Sequence, residues 1–125
     1  MDRNTNITPH FRWCEFIREV DRDPPGVVLD NLKALAKKLE EVRIKLGNRP
    51  ITITSGYRTV IHNRAIGGAP KSQHLLGKAV DFNVSGLTAR EVQYLLDPWW
   101  PGGMGYGSNF THLDIRAQRV RFFYG

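Results

Sequence analysis

SQHLLGKAVDF, residues 72–82, sets a charged side chain where a core strand is expected. Its last four residues open AVDFNV, 79–84, a run with the apolar and aromatic content of a buried strand. Asp81 stands in it between Val80 and Phe82. An unpaired carboxylate buried there costs several kcal/mol, so Asp81 demands a partner. An arginine would serve, and so would a cation shared with other ligands such as His74, seven residues earlier.

The segments on either side frame this strand. Leu29, Leu32, Leu35, Leu39, Val42 and Leu46 step by three and four, which predicts one apolar helix face, with Gly47 and Pro50 ending the helix. HFRWCEFIREV, 10–20, predicts a short helix closed by DRDPPG. ITIT, 51–54, alternates as a strand, and SGYRTVIHNRAIGGAPK, 55–71, reads as a loop with about one turn of helix. Thr88 and Glu91 form a capping box for a helix TAREVQYLL, ended by DPWWPGG. MGYG, THLDIR and VRFFY predict short strands, the last two joined by the turn AQR. Helices precede strands, so the expected class is α+β: one domain over residues 1–125, with an antiparallel sheet backed by helices.

Composition narrows the function classes. At 125 residues with 41% hydrophobic and 24% charged content, the chain has material for one core. No run approaches the ~20 apolar residues of a membrane span. No basic-then-apolar leader opens the sequence, so no export signal is visible. The lone Cys14 excludes an intrachain disulfide and a cysteine zinc cage, and its aromatic neighbours mark it as a small buried residue. A net charge of +6 favours an anionic partner. The basic residues are scattered, however, and no recognition helix or aromatic RNA platform accompanies them, so nucleic acid is not the expected partner.

Of the four histidines, His10 reads as structural or solvated and His62 as a loop residue. His74 and His112 differ by their company. Strand alternation in HLDIR puts His112, Asp114 and Arg116 on one face. Two imidazoles and a carboxylate are a common ligand set for catalytic zinc, which leaves a fourth position open. The competing reading pairs Asp81 with an arginine and leaves both histidines as satisfied core residues.

The blocks ITSGYRT, HNRAIGGAPKSQHLLGKAVDF and GMGYGSNFTHLDIR, taken in that order and spacing, resemble the zinc D-alanyl-D-alanine carboxypeptidase family. That family shares its fold with vancomycin-resistance dipeptidases, several phage endolysins and the hedgehog signalling domain. The resemblance runs from about residue 10 to residue 116. It implies His74, Asp81 and His112 as zinc ligands. It also implies Arg58 as a catalytic and substrate-binding guanidinium that steadies the oxyanion, a role suited to a permanently charged fork. Ser72 is a candidate for substrate contact, with a capping role as its alternative.

One position departs from the family pattern. Relatives carry a carboxylate three residues before the last zinc histidine, as general base, and here that residue is Asn109, which takes no proton. Asp114 is the nearest replacement, although two residues along a strand (~6–7 Å) suits an orienting partner of His112 better.

The implied activity is zinc-dependent hydrolysis of the peptide part of bacterial peptidoglycan, with zinc-activated water attacking a carbonyl. The expected protein is a monomer without a membrane span, acting on the cell wall and encoded by a bacterium or a phage. The alternative is a zinc-containing wall-binding or structural module of the same fold without catalysis. Tyr106, Trp99 and Trp100 are candidates to line a substrate subsite, with core packing as the competing role for the tryptophans.

Overall fold

The computed structural model describes residues 2–124. A small ribbon of β1 (Asn6–Thr8) and β2 (Phe11–Arg12) leads into a single helical turn, α1 (Trp13–Phe16), and a 3₁₀ turn, Glu19–Asp21. The helix expected over 10–20 is therefore mostly absent. Two of its N–H groups are taken by the turn that leads into β1: Trp13 N donates to the Thr5 carbonyl at 3.1 Å and Cys14 N to the Arg3 carbonyl at 2.8 Å. Phe11, Trp13, Phe16 and Ile17 are buried all the same, while Cys14 is only half-buried.

Helix α2 (Gly26–Lys45) follows the predicted stripe, burying Val28, Leu32, Leu35, Ala36, Leu39 and Val42. A five-stranded sheet packs against it, with β3 (Ile51–Ser55), β4 (Ala79–Val84), β5 (Gly103–Tyr106), β6 (Thr111–Asp114) and β7 (Val120–Phe123) in the order β3-β4-β6-β5-β7. Two further helices, α3 (Val60–Ala65) and α4 (Ala89–Leu96), sit in the connections. The capping box at α4 forms as predicted: Glu91 N donates to Thr88 Oγ at 3.1 Å, and Thr88 N to Glu91 Oε1 at 2.9 Å.

The class is α+β, and the sheet is antiparallel except at one edge. β7 does not turn back onto β6; it runs parallel to β5. Both edges of β6 are already occupied, by β4 and β5, so β7 pairs at the outer edge of β5. Arg121 holds the strand there, donating to the carbonyls of Gly102 at 2.7 Å and Trp100 at 2.6 Å.

Alternation gives the sheet two unlike faces. Val80, Phe82, Val84, Met104 and Leu113 join the leucines of α2 in the hydrophobic core. Asp81 and His112, which are direct partners across β4 and β6, point the other way, as does Asp114. One face thus stabilises the fold and the other carries the titratable groups. Leu35→Ala, at a fully buried position on α2, is expected to lower stability by about 2–5 kcal/mol, read from the urea midpoint.

Candidate metal centre

His74 is delivered by the 3₁₀ turn Gln73–Leu76, which forms because Ser72 caps it, its Oγ accepting from His74 N at 3.1 Å. Gly77 reverses the chain in the left-handed region, φ +71°, and lets Lys78 lead into β4. The His74 ring donates Nδ1–H to the Gly56 carbonyl at 2.7 Å. That fixes its tautomer, leaving Nε2 as a bare acceptor 3.2 Å from Asp81 Oδ1.

His112 reaches the same oxygen from across the sheet. Its Nδ1 lies 3.0 Å from Asp81 Oδ1, and its Nε2 faces Asp114 Oδ2 at 2.8 Å. Asp114 is fully buried and also accepts two bonds from the Arg116 guanidinium, both at 2.7 Å, and one from Gly103 N at 3.1 Å. So engaged, it stays a carboxylate, and His112 must donate from Nε2. Room for this network comes from the GMGYG run: a Cβ at Gly103 would collide with the Asp114 carboxylate, and one at Gly105 would meet His112 and Phe122.

Asp81 Oδ1 thus lies between His74 Nε2 and His112 Nδ1, and one ligand atom from each of the three residues lies within 4.8 Å of the others. With the outer nitrogen of each ring already committed, the neutral rings present two lone pairs to a carboxylate oxygen. Three acceptors converging in a buried place repel one another unless a cation stands among them, so the donor set fits a divalent metal. The metal-free site compensates with protons. Burial opposes charge on His112, but its bonds to Asp114 and Asp81 outweigh this and raise its pKa above the ordinary 6.5. Burial pushes Asp81 up as well, and the two histidines more than reverse it, holding its carboxyl well below the usual range.

The second oxygen of Asp81 answers to arginine. Arg58 NH2 lies 3.7 Å from Oδ2, and the guanidinium is otherwise held by Ser55 Oγ at 3.1 Å and Asn63 Oδ1 at 2.8 Å. The two readings of Asp81 are therefore not exclusive, because each oxygen has its own counterpart.

Other expectations are redistributed. The Ser72 hydroxyl oxygen caps the 3₁₀ turn, the alternative role set beside substrate contact, and its O–H is not used by that bond. Tyr106 lies on the opposite sheet face from His112, because it pairs with Thr111 while Gly105 pairs with His112; its hydroxyl donates to Asp97 at 2.6 Å. Asp114 sits behind His112, saturated by donors, where it orients the ring and is not placed to take a proton from the open side. Asn109 is exposed in the turn between β5 and β6. Trp100 is buried, its indole donating to the Gly103 and Asp114 carbonyls, whereas Trp99 is partly exposed under Lys45. His10 pairs with Glu40 at 2.7 Å and His62 with the buried Asp21 at 2.7 Å, neither at the cluster.

The sequence reading passed over Asn63 and Tyr124. Asn63 is buried and braces Arg58; its place five residues on, one turn into α3, was the available signal. The Tyr124 hydroxyl comes within 3.2 Å of His112 Nδ1.

The sequence model of the peptidase M15 family matches residues 9–114. The chain belongs to the peptidase M15 family. This agrees with the family that the motifs resemble. The peptidoglycan L,D-endopeptidase MepK of Escherichia coli (strain K12) is 38% identical over 82 residues, covering 59% of this M15 chain and 45% of its own length. The probable peptidoglycan L,D-endopeptidase MepK of Haemophilus influenzae is 34% identical over 95 residues, 69% of this chain and 51% of its own. The zinc D-Ala-D-Ala carboxypeptidase of Streptomyces albus G is 43% identical over 74 residues, 52% of this chain and 29% of its own. The M15 chain spans about half the length of the MepK relatives it matches.

Two outcomes follow for metal binding. Asp114→Asn is expected to weaken divalent-metal affinity by about 10–100-fold, checked by competition with a chromophoric chelator. Because a metal must displace the proton that His112 holds, affinity is expected to begin falling above pH 6.5 as the solution is acidified. An affinity that stays flat down to pH 6 would contradict this.

Proposed function

We propose that this chain is a zinc-dependent peptidase domain hydrolysing a peptide bond in bacterial peptidoglycan. The observation that carries the reading is the convergence of His74 Nε2, Asp81 Oδ1 and His112 Nδ1 beside the Arg58 guanidinium. His74, Asp81 and His112 would hold the zinc. When bound, zinc supplies Lewis acidity, polarising an oxygen and lowering the pKa of water towards ~7.

The chain's own residues do the rest. Gly56 and Asp114 lock the two imidazoles in the tautomers that turn a lone pair inward. Arg58 keeps a permanent positive charge at the Asp81 edge, suited to gripping a peptide carbonyl or a terminal carboxylate. Burial lowers its pKa and Asp81 opposes that, yet a guanidinium stays charged at any working pH. All of these groups come from one chain, in keeping with a monomer. The relatives' names supply the substrate class, and the net charge of +6 favours approach to an anionic wall. The place of action is then the wall side of the membrane, whether the protein is bacterial or released by a phage.

A second reading has one observation in its favour. With an amide at Asn109 and Asp114 saturated behind His112, neither supplies a proton acceptor at the open side. A zinc-loaded wall-binding module of the same fold would show this pattern.

Digestion of purified muropeptides by the zinc-loaded protein, followed by mass spectrometry, separates the two. The expected result is a defined cleavage product, lost in His74→Ala and reduced about 100-fold in kcat/KM by Arg58→Ala. Sacculus binding without any product from pH 5 to 9 would establish the module instead.

A further inference from the structure

Tyr124 follows β7 and lies outside the stretch matched by the family. Its backbone N–H donates to the Tyr106 carbonyl at 3.1 Å, which holds it against β5. Gly105 pairs with Phe122 on one side and His112 on the other, so Phe122, Tyr124 and His112 share the face that carries the ligands. A Cβ at Gly105 would meet the rings of Phe122 and Tyr124, each at 2.6 Å. The sheet is bare there because these rings occupy the space.

The Tyr124 ring is held in place. Phe110 meets it edge-on at a centroid distance of 5.0 Å and Phe122 at 5.5 Å. This cage aims the hydroxyl at His112 Nδ1, 3.2 Å away, the same nitrogen that faces Asp81. The residue is 45% exposed while its hydroxyl reaches the buried His112, so Tyr124 links solvent to the ligand cluster. A phenylalanine would fill the cage equally well. The hydroxyl is what packing does not explain.

We propose that Tyr124 is a substrate-binding residue whose hydroxyl donates a hydrogen bond to the oxygen of the peptide carbonyl under attack, from the His112 side, while Arg58 approaches from the Asp81 side. Two donors on two sides of one developing oxyanion are the arrangement that electrostatic stabilisation requires. The phenol works as a donor and not as the missing base. A phenol ordinarily titrates near ~10, so its O–H is intact and available as a donor where a peptidase works. Tyr124 also explains how a chain with Asn109 gains a polar contact at the open side from outside the family's matched segment.

This inference rests on the peptidase reading, and Tyr124→Phe tests it in the zinc-loaded protein. The expected result is a fall of about 100-fold in kcat with KM little changed. Affinity for a phosphinate dipeptide, which mimics the tetrahedral oxyanion without turnover, should fall by a similar factor. Zinc stoichiometry and the visible spectrum of the cobalt-substituted protein should stay as in the wild type. Unchanged kcat and phosphinate affinity in Y124F, beside an active wild type, overturn the inference and leave the peptidase reading standing. A shifted cobalt spectrum with weakened metal affinity also overturns it, since Tyr124 would then be a metal ligand. A wild type that holds zinc but neither cleaves muropeptides nor binds the phosphinate removes the peptidase reading and this inference together.

Discussion

Everything at this site depends on the register of β4 against β6. Asp81 and His112 face one another as direct partners, and direct partners in an antiparallel pair are ~4.5–5.5 Å apart at Cα. A slip of one residue would send Asp81 into the hydrophobic core and bring Val80 or Phe82 to the polar face. The core prevents that slip, because Val80, Phe82, Val84 and Leu113 are buried among the leucines of α2. The hydrophobic effect thus sets the position of a carboxylate that it disfavours. Function here is held by the packing on the other side of the same strands.

The buried charges are arranged so that neither carboxylate stands alone. Asp81 gives one oxygen to the histidines and turns the other towards Arg58; Asp114 is bracketed by His112 and Arg116. Breaking such a pair by removing one partner leaves an uncompensated buried charge, typically a loss of about 3–5 kcal/mol. Residues that touch no ligand are therefore fixed almost as firmly as those that do. Asn63 on Arg58 and Gly103 beneath Asp114 are of this kind.

Much of this was legible in the sequence, and the failures have a common cause. The α2 stripe, the α4 capping box and the strands β3 to β7 are local patterns, and each emerged near its predicted place. The grouping of His74, Asp81 and His112 was legible through the resemblance of the motif blocks to a known family, since spacing alone left a pairing of Asp81 with arginine equally open. What misled was information stored in tertiary contacts. The 10–20 segment has helical periodicity, but N–H groups at Trp13 and Cys14 bond to the turn before β1, a contact that no local window shows. Tyr106 looked like a subsite residue by nearness in sequence to His112, yet strand parity puts it on the far face. β7 read as a hairpin partner of β6 because the turn was short, and the occupied edges of β6 decided otherwise. Tyr124 went unnoticed for the same reason: its nearness to His112 arises only from the parallel pairing of β7 with β5.

The charge balance of the cluster also constrains what it binds. Asp81 and Asp114 are offset by Arg58 and Arg116, so the protein's own contribution is close to neutral when both histidines are neutral. A divalent cation then leaves the pocket with an excess positive charge of about two in a low-dielectric place, where charge interacts strongly. Such a pocket favours an anionic occupant at its open side: a hydroxide, a terminal carboxylate, or the oxyanion formed as a carbonyl is attacked. It disfavours the neutral ground-state carbonyl by comparison. The preference for developing negative charge over its neutral precursor is what accelerates a hydrolysis. A cluster that only needed to be stable would have met its two buried carboxylates with the two arginines and stopped there. The two imidazoles, each tethered by its outer nitrogen, exceed what stability asks.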